Sequence, residues 1–151
     1  AVATGPGGFT GTRLSVVMAR TLAQQLGCPL LGVSSFALMA SRLAPDEQPF
    51  WITQPLPRRG VVAGQYRVRA AVVEELEAPH LLEAERIVSP AIEAAVDVDA
   101  DVEALLGRLR QALQRGEPLP WQSVLPLYPT SPVGPVCWQG SVPESCSAQD
   151  C

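Results

Sequence analysis

The sequence predicts an α/β protein, a layered fold in which strands and helices alternate. Short apolar strands alternate with amphipathic helices through the first half of the chain. The 151 residues are 47% hydrophobic and 17% charged, a composition typical of a globular chain rather than a disordered one. A chain of this length can bury one hydrophobic core. We expect one α/β domain over residues 1–118, followed over residues 119–151 by an irregular segment rich in proline, serine and glycine.

The first predicted element is a short strand at Val2-Ala3 that leads into a glycine-rich loop. The glycines let the backbone turn sharply and approach another group closely, and Thr10 is a good N-cap for the helix that follows. Free N–H groups and the helix dipole at such a place suit an anion. The residues of this candidate phosphate loop are Gly5, Gly7, Gly8, Thr10 and Gly11. A tight strand-to-helix turn without a ligand is the simpler alternative.

Three common motifs are excluded for this loop. A P-loop requires Gly-Lys-Ser/Thr, but all eleven basic residues of the chain are arginine. The dinucleotide fingerprint G-x-G-x-x-G requires its last glycine one residue earlier than Gly11. The G-x-S-x-G nucleophile elbow is absent from the sequence.

The first helix is predicted from about Gly11 to Leu26, with Gly27 as its stop. Its apolar residues recur at three- and four-residue steps, which is the helical period. They are Leu14, Val17, Met18, Leu22 and Leu26. We expect the stripe formed by the first four of them to pack against a sheet. A second strand is predicted over residues 30–33, followed by a second helix that is capped by Ser34 or Ser35 and runs to about Leu43.

The later elements are less regular. Strands are predicted over residues 50–53 and 60–73, around a turn from Pro55 to Gly60, and Pro79-His80 is expected to break the pattern. Residues 85–88 are read as a strand and 90–96 as a short helix. A further helix is predicted from Asp99 or Ala100 to Arg115, closed by Gly116. Its apolar stripe consists of Val102, Leu105, Leu106, Leu109 and Leu113, and its early acidic and late arginine residues complement the macrodipole.

Composition excludes several classes of function. The net charge of −4 and the pI near 4.9 argue against independent nucleic-acid binding, which needs a basic face. No apolar stretch approaches the length of a membrane span, and no secretory signal is visible. We therefore expect a cytoplasmic protein with no membrane partner.

The sequence offers no catalytic or metal-binding constellation. His80 is the single histidine of the sequence, and we expect it at the surface. One histidine cannot supply the pair of histidine ligands that a zincin-type metal site needs. Cys28 is expected to be buried. The spacings of Cys137, Cys146 and Cys151 match no usual zinc pattern, and these thiols are expected to be free. Arg58 and Arg59 are expected to be solvated in a turn. We expect no cofactor, no metal and no catalytic residue.

One stretch of sequence resembles a known family. The run Gly5-Pro6-Gly7-Gly8-Phe9-Thr10-Gly11-x-Arg13, a helix, and the run Pro29-Leu30-Leu31-Gly32-Val33-Ser34-Ser35 resemble the TsaB (YeaZ) family. The blocks Arg58–Tyr66 and Leu127–Pro132 add to the resemblance, which is dense over residues 1–43, looser over 50–69 and thin over 70–123. The family has serine at Gly8 and an acidic residue near Leu56. Its members carry a strand, hairpin and helix ahead of the loop, so we expect an N-terminally incomplete member with an unpaired sheet edge.

The resemblance implies both a fold and a function. The implied fold is a partial actin-like (ASKHA, ribonuclease-H-like) domain with a mixed sheet and flanking helices. The implied function is that of a non-catalytic subunit that supports threonylcarbamoyl transfer to adenosine 37 of tRNA. The superfamily is also described as glycoprotease-like, but the lone histidine argues against peptidase or transferase activity here.

The implied partners are a TsaD-like catalytic subunit, a second copy of the chain and a TsaE-like ATPase, with tRNA contacted only indirectly. The implied interface lies on the first helix, at Arg13, Leu14, Val17, Met18, Arg20, Thr21 and Gln24. The alternative is a small nucleotide- or phosphate-binding enzyme that uses the Gly5–Gly11 loop. That alternative needs an acidic metal ligand, and the nearest carboxylates in sequence are Asp46 and Glu47.

Overall fold

The computed structural model describes residues 1–43, 47–70, 72–83 and 85–129. Its strands are β1 (Val2–Ala3), β2 (Gly32–Val33), β3 (Phe50–Leu56), β4 (Gly60–Arg69), β5 (Val72–Leu81) and β6 (Ala91–Glu93). Its helices are α1 (Phe9–Leu26), α2 (Ser35–Leu43) and α3 (Val98–Gln114), followed by a 3-10 turn (Trp121–Ser123). Strands and helices therefore alternate through the first half of the chain, as predicted.

The strands form two sheets. β1 and β2 pair in parallel, and the other four strands form a sheet in the order β5-β4-β3-β6. In this sheet β3 and β5 run antiparallel to β4, whereas β6 runs parallel to β3. The predicted mixed sheet with flanking helices is confirmed.

The larger core joins α2 to the four-stranded sheet. α2 buries five consecutive residues, Phe36, Ala37, Leu38, Met39 and Ala40, because it is covered by strands on one side and by α3 on another. Phe50 and Ile52 of β3 are fully buried against it. Full burial of each such side chain contributes about 1.5–3 kcal/mol to stability.

A smaller core holds α1 against β1 and against the segment that follows α3. Its buried residues are Val2, Val16, Ala23, Leu30 and Val124. Backbone hydrogen bonds fasten the returning segment at two points: the Leu30 amide donates to the Leu119 carbonyl at 3.0 Å, and the Leu127 amide donates to the Thr4 carbonyl at 2.8 Å. Residues 119–129 therefore pack against the α/β domain, while the predicted division of the chain at residue 118 stays a prediction.

The C-terminal ends of the helices agree with the predicted boundaries more closely than their N-terminal starts do. Gly27 and Gly116 both have positive φ (61° and 65°), as predicted for helix stops. The predicted start of α1, however, is wrong, because the helix begins at Phe9 with Gly8 as its N-cap and Thr10 lies inside it. α3 begins at Val98, since the Asp97 carboxylate accepts from the Ala100 amide at 3.1 Å. No helix in the described ranges is long and apolar enough to cross a membrane.

The strand predicted over residues 60–73 is two strands. The chain reverses at Ala70, which has a φ of 46°, and β5 returns antiparallel to β4. Pro79 and His80 were expected to break the pattern, but both lie inside β5. Because β5 is an edge strand of its sheet, a proline that cannot donate a hydrogen bond is tolerated there.

The predictions for residues 85–96 are also wrong. Residues 85–88 form no strand, and the helix predicted over 90–96 is replaced by β6. The Trp51 amide donates to the Pro90 carbonyl at 2.8 Å, and the Ala94 amide donates to the Thr53 carbonyl at 2.7 Å. Pairing with the free edge of β3 satisfies these backbone groups and overrides the local helix propensity.

Two glycines give a paired test of this packing. A Cβ on Gly32 would lie 2.8 Å from Val124 Cγ1, whereas a Cβ on Gly107 of α3 would meet no heavy atom within 4 Å. We expect Gly32→Ala to lower the free energy of unfolding by about 1–3 kcal/mol, because the added methyl overpacks the contact. Gly107→Ala should raise it by about 0.5–1 kcal/mol through helix propensity. Urea denaturation measures both changes, and shifts in the same direction would contradict this account.

Candidate functional site

α1 is apolar on two opposite faces. Val16 and Ala23 are buried in the smaller core. On the other side Leu14 and Met18 are 67% and 62% exposed, and Val17 and Leu22 are each at least half exposed. The prediction that this stripe packs against a sheet is therefore wrong. The small side chains of Ala19 and Ala23 let the helix lie close to the core through the opposite face.

We define the outer face of α1 as Gly11, Leu14, Val17, Met18, Thr21 and Leu22, which recur at three- and four-residue steps. Gly11 lies on the same side as Leu14 and Met18, and no heavy atom lies within 4 Å of the position of its missing Cβ. A glycine beside an exposed apolar stripe leaves bare backbone that another molecule can approach closely. The face therefore has the shape and chemistry of a docking surface for an apolar partner.

The polar residues of the predicted interface lie on or beside this face. The Thr21 hydroxyl donates to the Val17 carbonyl at 3.0 Å, so a partner can meet its methyl group or use its oxygen as an acceptor. Arg13 and Gln24 are exposed on the flank of the helix. Arg20 instead places its guanidinium 5.7 Å from the centre of the Trp121 ring, and this cation–π contact ties α1 to the 3-10 turn.

The candidate phosphate loop divides into two halves. Gly5 has a φ of 99°, and a Cβ there would lie 3.2 Å from the Leu127 carbonyl oxygen. A Cβ on Gly7 would lie 3.1 Å from Thr12 Oγ1. A side chain at Gly5 would be strained by its positive φ, and a side chain at Gly7 would be close to Thr12. Gly8 and Gly11 have no such neighbour, so the open half of the loop continues into the outer face of α1. Phosphate binding at Thr10 and these glycines stays a prediction.

The other candidate functional residues of the sequence do not lie near the outer face of α1 or the glycine-rich loop. Within the described ranges, no three His, Cys, Asp or Glu residues lie close enough to hold a metal ion. His80 Nε2 lies 3.3 Å from Glu77 Oε1 on the far sheet. Arg58 and Arg59 are exposed in the turn between β3 and β4. Asp46 lies outside the described residues.

The expected burial of Cys28 is wrong. Its amide donates to the Ala23 carbonyl at 3.1 Å as part of the α1 helix stop, and this leaves the side chain exposed. Cys137, Cys146 and Cys151 lie outside the described residues.

The sequence did not predict a buried polar cluster around Tyr66. The Tyr66 side chain is fully buried; its hydroxyl donates to Glu75 Oε2 at 3.2 Å and lies 3.4 Å from Ser34 Oγ. Burial raises the pKa of Tyr66 far above its usual value; the Ser34 hydrogen bond opposes the rise, and the Glu75 charge adds to it. A tyrosine on a buried strand signals a partner for its hydroxyl, but the sequence does not say which residue provides it.

The chain is similar to one protein family and to proteins of known structure. A family model described as TsaD: tRNA N6-adenosine threonylcarbamoyltransferase matches residues 1–106. An uncharacterized Pseudomonas aeruginosa protein with similarity to peptidase YeaZ has a solved structure that is 22% identical, with a TM-score of 0.66, over 85% of this chain and 72% of that chain. YeaZ from the same organism is 23% identical, with a TM-score of 0.65, over 83% and 71%. No curated protein sequence matches. The actin-like fold and the family resemblance are confirmed.

The buried tyrosine predicts a loss of stability at alkaline pH. The folded chain holds the Tyr66 proton more tightly than the unfolded chain, whose tyrosines titrate near pH 10. The free energy of unfolding should therefore be insensitive to this group below about pH 10 and fall above it, by at most about 1.4 kcal/mol per pH unit. Urea denaturation of the wild type and of Tyr66→Phe between pH 8 and 11 measures the effect.

Tyr66→Phe should be less stable at neutral pH by roughly 1 kcal/mol, because two hydrogen bonds are lost, and should show a flatter decline above pH 10. Glu75 and Arg108, which face Tyr66, remain in both chains. Exposed Tyr128 provides the control, since Tyr128→Phe should keep the wild-type pH dependence. An equally steep decline in Tyr66→Phe would show that another group is responsible.

Proposed function

The chain belongs to the TsaD family of tRNA N6-adenosine threonylcarbamoyltransferases, and we propose that it acts there as an accessory, non-catalytic subunit. On this proposal it supports threonylcarbamoyl transfer to adenosine 37 of tRNA by binding a TsaD-like catalytic partner. The outer face of α1 is the surface that binds the partner.

The observation that carries the proposal is the exposure of that face. Leu14, Met18 and Leu22 are each more than half exposed on a helix whose opposite side is already buried. A contiguous apolar stripe of this kind is typical of a protein–protein interface. Each Å² of apolar surface that a partner covers contributes about 25 cal/mol, before the entropy cost of association is subtracted.

Two further observations favour an accessory role over catalysis. The 151 residues contain one histidine, His80, whose ring contacts Glu77 and the Ala78 carbonyl, so these residues cannot supply a pair of histidine ligands to a catalytic metal ion. The net charge of −4 provides no basic face for a phosphate backbone, so tRNA contact would fall to the partner. A second copy of the chain that used the same face would compete with that partner.

Charge placed on the outer face should abolish docking. We expect Leu14→Arg to weaken the complex with a TsaD-like protein at least a hundredfold, because a charge would be buried without a counter-ion. Size-exclusion chromatography with light scattering, followed by calorimetry, measures the complex. The matched control is Leu113→Arg: Leu113 is 53% exposed on α3 and Leu14 is 67% exposed on α1, so neither change disturbs a core.

Full binding by Leu113→Arg together with loss by Leu14→Arg would support the proposal. Equal affinity of the two variants for the partner would contradict docking through the outer face. A wild-type chain that stays monomeric beside the partner would overturn the proposed role for these residues.

A substitution at Gly11 should change the stability of the chain and its affinity for the partner in opposite directions. Gly11 lies inside α1, and a Cβ there would meet nothing in the isolated chain. We therefore expect Gly11→Ala to raise the free energy of unfolding by about 0.5–1 kcal/mol while weakening the complex about tenfold, because the methyl keeps the partner from the helix backbone. Urea denaturation and calorimetry provide the two readouts. Unchanged affinity would mean that the partner does not approach at Gly11.

A further inference from the structure

A cleft of about 600 Å³ opens between α3 and the ends of β1, β2 and β5. Much of its wall is apolar: Leu31, Val33, Ala37, Val72, Val73, Ala104 and Leu127. No residue of α1 lines it, so it is separate from the outer face. Its volume falls within the range of about 300–1,000 Å³ that is typical of small-molecule sites.

Arg108 of α3 lines this cleft and is half-buried. Among the described residues, its guanidinium makes one recorded hydrogen bond, a long one of 3.5 Å from Nη2 to the Val73 carbonyl, and no described carboxylate lies within ion-pair distance. A guanidinium has five N–H donors, so most of them are free to meet a ligand.

The charge of Glu75 does not fully neutralise this arginine. Glu75 also lines the cleft, but one of its oxygens accepts from the Tyr66 hydroxyl at 3.2 Å. Burial lowers the pKa of Arg108, and the charge of Glu75 offsets that effect only in part. A half-buried cation with an incomplete counter-charge is stabilised by an anion that enters beside it.

Polar groups that could help to hold such an anion also line the cleft. Thr4 is 9% exposed and lies on the β1 side of the cleft. Gln111 and Arg115 follow Arg108 along the same side of α3, at about one and two turns. Arg115 is 3.5 Å from Glu117 at the surface, where an ion pair is weak and exchangeable.

We propose that this cleft binds a small organic oxyanion, whose carboxylate or phosphate group contacts Arg108 and whose apolar part lies against Val72, Val73 and Ala104. The like charge of Glu75 keeps the anion on the Gln111 side of the arginine. The site needs no partner protein, so it stands or falls independently of docking through α1.

The test is an NMR titration of the full chain with three probes: acetate, butyrate and inorganic phosphate, at constant ionic strength. Saturable shifts are expected in the amides of residues 104–112. Butyrate should bind about tenfold more tightly than acetate, because its two extra methylenes contact the apolar wall. Arg108→Gln should weaken binding of every probe at least tenfold, whereas Arg110→Gln, an exposed arginine outside the cleft, should not.

A second variant keeps Arg108 and fills the space. Gly107 lines the cleft with nothing near its missing Cβ, so Gly107→Leu should exclude butyrate. Tighter binding of phosphate than of either carboxylate would support the site and assign it to phosphate esters. Tighter binding of butyrate would support it and assign carboxylates. Shifts that do not saturate, or that are the same in Arg108→Gln and Arg110→Gln, would overturn the proposal.

Discussion

The contact of Val124 with Gly32 is the constraint on which the arrangement of the first half depends. The valine reaches back from the segment after α3 and packs where any side chain on residue 32 would lie. It thereby closes the smaller core over β1 and β2, and α1 settles on that core through Val16 and Ala23. With this side of α1 occupied, the larger apolar side chains of the helix face outward.

The outward apolar stripe of α1 gives a physical reason for the accessory role that we propose. Exposed leucine and methionine side chains on a regular helix promote aggregation. A partner that covers them removes this apolar surface from water. The open glycine on the same face adds a place of close approach. Function on this account lies in a surface, which agrees with the single histidine and the acidic net charge.

The two sites proposed for the chain differ in chemistry and in position. The outer face of α1 is apolar and convex, and its free energy would come from desolvation. The cleft beside α3 is concave and contains a half-buried arginine next to the Ser34, Tyr66 and Glu75 cluster. This cluster links β4 and β5 to the residue that precedes α2.

The sequence by itself determined the α/β class, the three helices, the glycine stops at Gly27 and Gly116, and the family through the Gly5–Arg13 run. These depend on local propensity and on neighbours along the chain, which a sequence displays directly. Only the tertiary structure decided which face of α1 is buried, because both faces show the same helical period. It also decided that residues 91–93 form a strand and that Pro79 lies within one, since an edge position in a sheet is set by partners distant in sequence. For the same reason the sequence did not reveal Arg108 and Tyr66, since each has a hydrogen-bond partner more than thirty positions away that only folding brings near.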